Sequence, residues 1–196
     1  MDSPSLLNIH DYHRAARDKL PKEVLDYYEG GALDEITLRE NTADWERLKL
    51  YYHVLAGVGT RDLSTTILGQ SISLPIGIAP TAFQKLACAA GEIATAKAAK
   101  AVGTLFILSS FSNTAMDSVL PQAASPRWFQ LYIYKDCGIT EELVRRAEAA
   151  GAEAIVVTVD TPGLGTRERD VRNSFRLPDD IAVENLVPSG KGNFRR

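Results

Sequence analysis

Ala154-Ile155-Val156-Val157-Thr158-Val159-Asp160-Thr161-Pro162-Gly163-Leu164-Gly165-Thr166-Arg167-Glu168 is the stretch whose reading decides the fold. Its first half is a β-branched run with no polar interruption before Thr158. Such a run reads as a strand buried on both faces, which belongs in a parallel sheet covered by helices. Thr158 and Asp160 are two apart and share a strand face, and Asp160 stands where the strand gives way to a Pro/Gly-rich loop. In parallel α/β architectures that edge is where active sites are built.

Working back from this strand, the same unit recurs. Pro75-Ile76-Gly77-Ile78-Ala79-Pro80 is a short apolar strand, and a helix over Gly91 to Val102 follows, with Ala94, Ala98 and Ala101 on one small-residue face. Leu105 to Ser109 is a second strand, followed by a weaker helical stretch from Met116 to Ala123. Arg127 to Tyr134 is a third strand, and a helix over Thr140 to Ala150 ends at Gly151. Strand starts near residues 75, 105, 127 and 154 are 22 to 30 positions apart, the spacing of successive βα units.

An open nucleotide-binding sheet would need a Gly-rich fingerprint in its first turn, and Ala79-Pro80-Thr81-Ala82-Phe83 has none. Gly57-Val58-Gly59 and Gly163-Leu164-Gly165 each lack the third glycine and do not lie between a strand and a helix. The expected fold class is therefore α/β, the N-terminal half of a TIM (β/α)8 barrel with about four βα units. A full barrel needs eight strands and typically ~250 residues. The expected organisation is a single partial domain. Residues 1–62 form a helical segment with short helices from Asp11, Lys22 and Leu33, residues 63–74 a hairpin, residues 75–178 the four βα units, and residues 179–196 the start of a mobile loop. The first and fourth strands would be open edges needing a partner.

Composition excludes several functions. At 196 residues, 45% hydrophobic and 24% charged, the chain can bury a core. A net charge of -3 offers no basic face for nucleic acid. No run reaches the ~18 apolar residues of a membrane span. Met1-Asp2-Ser3-Pro4-Ser5 has no signal-peptide character, so an intracellular, cytoplasmic protein is expected, with the peroxisome as an alternative address. Cys88 and Cys137 read as two reduced thiols. His10, His13 and His53 read as surface residues, and their spacing fits no metal site.

Polar groups collect at the strand ends: Pro80-Thr81-Ala82 on the first, Ser109-Ser110-Phe111 on the second, Gln130-Leu131-Tyr132 on the third and Thr158-Val159-Asp160 on the fourth. Any one of them is satisfied by an ordinary turn. Four successive strand ends are not, and their amide, hydroxyl and backbone groups suit a flat heterocycle, with Tyr132 and Asp160 available for acid/base chemistry.

These segments, with Asp26-Tyr27-Tyr28 and Gly31-Ala32 in the same order and spacing, resemble the FMN-dependent α-hydroxy acid oxidase family, to which glycolate and lactate oxidases belong. The resemblance runs from about residue 8 to 178. It implies FMN as cofactor and oxidation of an (S)-2-hydroxy acid to a 2-oxo acid, with oxygen as the expected acceptor. It implies that Pro80, Thr81 and Ala82 lie along the flavin and that Ser109, Gln130 and Thr158 hydrogen-bond it. Tyr132 resembles the tyrosine that bonds the substrate oxygen, Tyr27 and Arg167 the residues near the substrate carboxylate, and Asp160 the aspartate that pairs with a catalytic histidine. That histidine does not match His10, His13 or His53, so the resemblance places it in a C-terminal half, supplied as a second chain or cleaved fragment. The chain alone is expected to be inactive, and a homo-oligomer is expected.

Two departures stand out. Cys88-Ala89-Ala90-Gly91-Glu92 replaces a His-Pro pair found in many members, and Phe111 stands where glycolate oxidases carry tryptophan. The smaller ring suggests room for lactate-like or medium-chain substrates. Two other classes stay open: an inactive truncation that serves as an assembly module, and a barrel enzyme of other chemistry, such as an aldolase or isomerase.

Overall fold

The structure is a computed structural model and describes residues 6–57, 59–161, 163–190 and 192. Val58, Pro162 and the polar tail over 193–196 lie outside the described residues. In chain order the elements are α1 (Ile9–Arg17), α2 (Lys22–Glu29), α3 (Ile36–Arg47), β1 (Thr65–Ile67), β2 (Gln70–Ile72), α4 (Gly91–Val102), β3 (Phe106–Leu108), α5 (Met116–Val119), β4 (Arg127–Leu131), α6 (Cys137–Ala149), β5 (Ile155–Val157) and α7 (Glu168–Arg172), with short 3-10 turns between them. They gather into two compact units. The residues through Tyr52 join Leu164–Phe175 in one, and His53–Gly163 joins Arg176 onward in the other.

The first unit is helical. Asn8 caps α1, its side chain accepting the Asp11 N–H at 3.0 Å while the Asp11 carboxylate accepts the Asn8 N–H at 3.3 Å. The third helix begins at Ile36 and not at Leu33, because Leu33 and Glu35 take left-handed φ values of 49° and 55° and turn the chain first. The segment around α7 joins these helices across a long sequence gap. The Leu33 N–H donates to the Thr166 carbonyl at 2.9 Å, Asn173 Nδ2 to Asp26 at 2.7 Å and Arg169 Nη2 to Glu35 at 2.8 Å.

In the second unit β3, β4 and β5 form a parallel sheet in that order. Phe129 pairs with Leu108 on one side and Ile155 on the other, so these three share one face. Helices α4 and α6 cover that face at β3 and β4, burying Ala96, Ala99, Leu143 and Ala147. The buried stripe of α4 is Glu92, Ala96 and Ala99, while Ala94, Ala98 and Ala101 face solvent. Both stripes have helical spacing, and Glu92 decides between them. Its buried carboxylate accepts the Gln84 and Asn113 N–H groups at 3.2 and 2.9 Å and the Thr114 hydroxyl at 2.9 Å.

The β1–β2 hairpin lies against the opposite face, near the amino ends of the strands. Ile72 forms a core cluster with Leu105 and Trp128, with Ile67, Ile107 and Val156 packed around it.

Three expectations need correction. The apolar segment from Pro75 to Pro80 forms a single parallel bridge between Ile78 and Phe106. Prolines at both ends supply no N–H and leave no longer ladder to build. The strand that opened the reading is not buried on both faces. Ile155 is 36% and Val157 45% exposed, whereas their β4 neighbours Phe129 and Leu131 are buried, because β5 is the edge of the sheet among the described residues. The stretch from 181 to 190, expected as mobile, contains a 3-10 turn over Glu184–Ser189 and buries Val183, Asn185 and Leu186.

Candidate active site

The carboxyl ends of β3, β4 and β5 bring part of the sequence-derived set together. Gln130, the fourth residue of β4, is buried, and both ends of its amide are used. Its Oε1 accepts the backbone N–H and the hydroxyl of Ser110, each at 3.1 Å, and its Nε2 donates to Thr158 Oγ1 at 2.9 Å. Thr158 continues the ladder past β5, its N–H donating to the Leu131 carbonyl at 3.0 Å. Three successive strand ends are thus tied by one side-chain amide.

Tyr132 follows β4 and is half-buried. Its ring lies 5.2 Å from that of Phe111, which in turn stacks on Phe83 at 6.0 Å. Burial raises the Tyr132 phenol above its ordinary value, and the nearby Asp160 carboxylate raises it further by opposing a second negative charge. Asp160 is exposed and accepts the Thr161 hydroxyl at 3.2 Å. Burial also pushes Tyr134 up to about 12, opposed by its interaction with the Ser110 hydroxyl. Both phenols are neutral donors at physiological pH.

Pro80, Thr81 and Ala82 form an irregular, half-exposed segment after the Ile78 bridge, ahead of the left-handed turn at Phe83. The Phe83 N–H donates to the Phe111 carbonyl at 3.1 Å, which ties this segment to the loop after β3. Ser109 is buried, and its hydroxyl accepts the Phe111 N–H at 3.1 Å. Ser110, at the same strand end, is the serine that reaches Gln130. Sequence reasoning named the pair and gave no role to Ser110. Face parity could not separate the two, because β3 already ends at Leu108.

The helical unit brings Tyr27 and Arg167 together. The Arg167 guanidinium lies 4.9 Å from the Tyr27 ring centroid and donates to the Tyr27 carbonyl, and Asp170 pairs with it at 3.1 Å. On its other side the Tyr27 ring stacks on Phe175 at 4.6 Å. The Gly31 N–H and the Arg169 guanidinium hold the Glu35 carboxyl below its usual range.

A parallel sheet whose strands follow one another in chain order, with a polar rim at its carboxyl ends, fits part of an α/β barrel. The comparisons with known proteins narrow it. Residues 16–192 match the family described as FMN-dependent dehydrogenase, and the chain belongs to that family. Glycolate oxidase 3 of Oryza sativa subsp. indica is 47% identical over 181 residues, which are 92% of this chain and 49% of the rice protein. 2-Hydroxyacid oxidase 1 of Homo sapiens is 47% identical over 95% of this chain and 50% of the human one. Mandelate oxidase solved with benzoyl-formic acid matches with a TM-score of 0.89 and 35% identity, over 98% of this chain and 56% of that one. The chain spans about half the length of the curated relatives it matches, and its fold is part of a TIM barrel, as expected. The expectation of an aldolase or isomerase gains no support from these matches.

The donors present suit the FMN that the family description specifies. Gln130 Nε2 has a second N–H beyond the one given to Thr158, and Thr158 Oγ1, already an acceptor, has its own proton to donate. Two donors side by side on a half-buried rim match the carbonyl-bearing edge of a flat heterocycle.

Proposed function

We propose that this chain supplies half of the active site of an FMN-dependent (S)-2-hydroxy acid oxidase. The observation that carries the reading is the chain of bonds from Ser110 through Gln130 to Thr158 at the carboxyl end of a parallel sheet, beside Tyr132 and Asp160. FMN, when bound, supplies the two-electron acceptor. The chain's own residues bind and orient. Pro80, Thr81 and Ala82 would lie along the cofactor, and Ser109, Gln130 and Thr158 would hold its polar edge. Tyr132 stays protonated and donates to the substrate oxygen. Asp160 orients a histidine supplied by the remaining half and stabilises its charged form as it takes the substrate proton. Tyr27 and Arg167 act on the substrate carboxylate, where a guanidinium and a phenol provide directed donors. Oxygen as final acceptor and an intracellular location complete the reading.

Turnover requires the rest of the barrel, and the uncovered face of β5 supports this need. Co-expression with a polypeptide matching the other half of the relatives is expected to give a yellow assembly that releases hydrogen peroxide with a 2-hydroxy acid. The chain alone is expected to do neither. FMN binding and lactate turnover by the chain alone would overturn the requirement, and a colourless, inactive assembly would overturn the oxidase. The open edge also favours a second reading, in which the chain acts only as an assembly module. Self-association without flavin uptake would select it. The half-buried ring of Phe111 beside Tyr132 supports lactate-like or longer substrates. A series with glycolate far ahead in kcat/KM would count against them.

A further inference from the structure

We propose that Ser110 is a positioning residue: held from behind by Asn185, it fixes which way the Gln130 amide points and so makes the rim a donor surface. The inference rests on the flavoprotein reading for the identity of the ligand and on geometry for everything else.

A glutamine amide can bind in two orientations, and here one of them is forbidden. A backbone N–H can only donate, so the Gln130 atom 3.1 Å from the Ser110 nitrogen must be the oxygen. The Ser110 hydroxyl reaches the same oxygen. The reversed amide would set N–H against N–H, in a place where Ser110 and Gln130 are 0% and 2% exposed and water cannot mediate. The NH2 group is therefore committed to Thr158 and the rim.

Ser110 is itself fixed. Asn185 Oδ1 accepts the Met116 N–H at 2.9 Å, which settles the Asn185 amide by the same logic. Its Nδ2 then donates to the Ser110 carbonyl at 3.3 Å and to Ser112 Oγ at 2.8 Å. The Glu184 N–H donates to the Ser112 carbonyl at 3.1 Å, and Asn113 Nδ2 to the Ala182 carbonyl at 2.8 Å. The stretch from 182 to 185 thus clamps the loop after β3, and through Ser110 the clamp ends on Gln130. A ligand atom facing Gln130 Nε2 meets a donor and must be an acceptor.

The test has a readout that needs no flavin. In the 15N-labelled full chain the Gln130 side-chain amide is expected to give two well-separated, slowly exchanging proton signals. Ser110→Ala, which removes the hydroxyl and keeps the backbone N–H, is expected to shift both signals and speed their exchange while the β4 backbone signals remain. Ser110→Thr, which keeps the hydroxyl, is expected to retain the wild-type pattern. In the assembled flavoprotein, Ser110→Ala is expected to weaken FMN binding about tenfold. The same change in a Gln130→Leu background is expected to add nothing to the loss of FMN binding, because Ser110 is proposed to reach the ligand through that amide. Unmoved Gln130 signals in Ser110→Ala, their loss in a folded Ser110→Thr protein, or additive losses in the double variant would each overturn the role. An assembly that takes up no FMN while the Gln130 signals respond as stated would defeat the flavoprotein reading and leave the positioning role intact.

Discussion

β4 and β5 are neighbours in one sheet, and β5, Ile-Val-Val, is the more apolar of the two, yet it is the more exposed. Phe129 and Ile155 sit opposite each other in register and face the same way, but Phe129 is fully buried and Ile155 is 36% exposed. Composition is not the cause. β4 has a strand on each side and α6 against one face, while β5 has its ladder to β4 and, among the described residues, no second neighbour. Burial is a property of what surrounds a residue, and a run of β-branched side chains says only that it needs covering.

The comparison can be broken most directly by truncating the register pair. Phe129→Ala is expected to cost about 3–5 kcal/mol, since the fully packed site cannot collapse around the cavity, and Ile155→Ala about 1 kcal/mol or less. Urea midpoints of the two variants give the measurement, and equal costs would show that β5 is covered. The contrast extends to carboxylates. Glu92→Ala is expected to cost about 2–4 kcal/mol, because it strands the buried Asn113 N–H, the half-buried Gln84 N–H and the Thr114 hydroxyl. Asp160→Ala, at the exposed end of β5, is expected to stay within about 0.5 kcal/mol.

Alkali should sharpen the picture on the β4 side. Burial raises the pKa of Tyr134 to about 12 from its ordinary value of 10.0, so the unfolded chain loses this proton first. Its contribution is intact below pH 10 and is lost as the pH rises toward 12, by about 1 kcal/mol after allowing for partial solvent screening. Tyr134→Phe is expected to flatten that part of the stability profile. The smallest effect belongs to the helical unit. Arg169→Ala is expected to return the Glu35 carboxyl part of the way to its ordinary range, with the Gly31 N–H still holding it down, as read by carboxyl-carbon titration. The lowered pKa gives stability that is present above the ordinary glutamate range and is lost as the pH falls through the folded value.

Much of this was legible in the sequence. The limits of α2 and α4, the glycine stop after α6 and the βα rhythm follow from periodicity and caps, which are local. The spacing of Gln130 and Thr158 already put them on adjacent strand ends. What could not be read depends on partners distant in sequence. Two alanine stripes on α4 have the same spacing, and only the bonds of Glu92 to residues 84, 113 and 114 choose between them. Ser110 gains its meaning from Gln130 and Asn185, and neither bond has a sequence signature. Leu164–Phe175 looked like the tail of the last βα unit, but its hydrogen bonds run to the helices 130 to 150 residues earlier.

The hairpin at the amino ends of the strands sets an order of events during synthesis. Gln70 accepts the Trp128 indole N–H at 3.0 Å and donates to Glu153 at 2.9 Å, partners that are 58 and 83 residues further along the chain. At ~5–20 residues per second the ribosome needs roughly 3–12 s to deliver the first of them. Over that interval Ile67 and Ile72 have no Trp128 to cover them. The hairpin is made early and docks late, so a nascent chain arrested before residue 128 should be the form most dependent on chaperones.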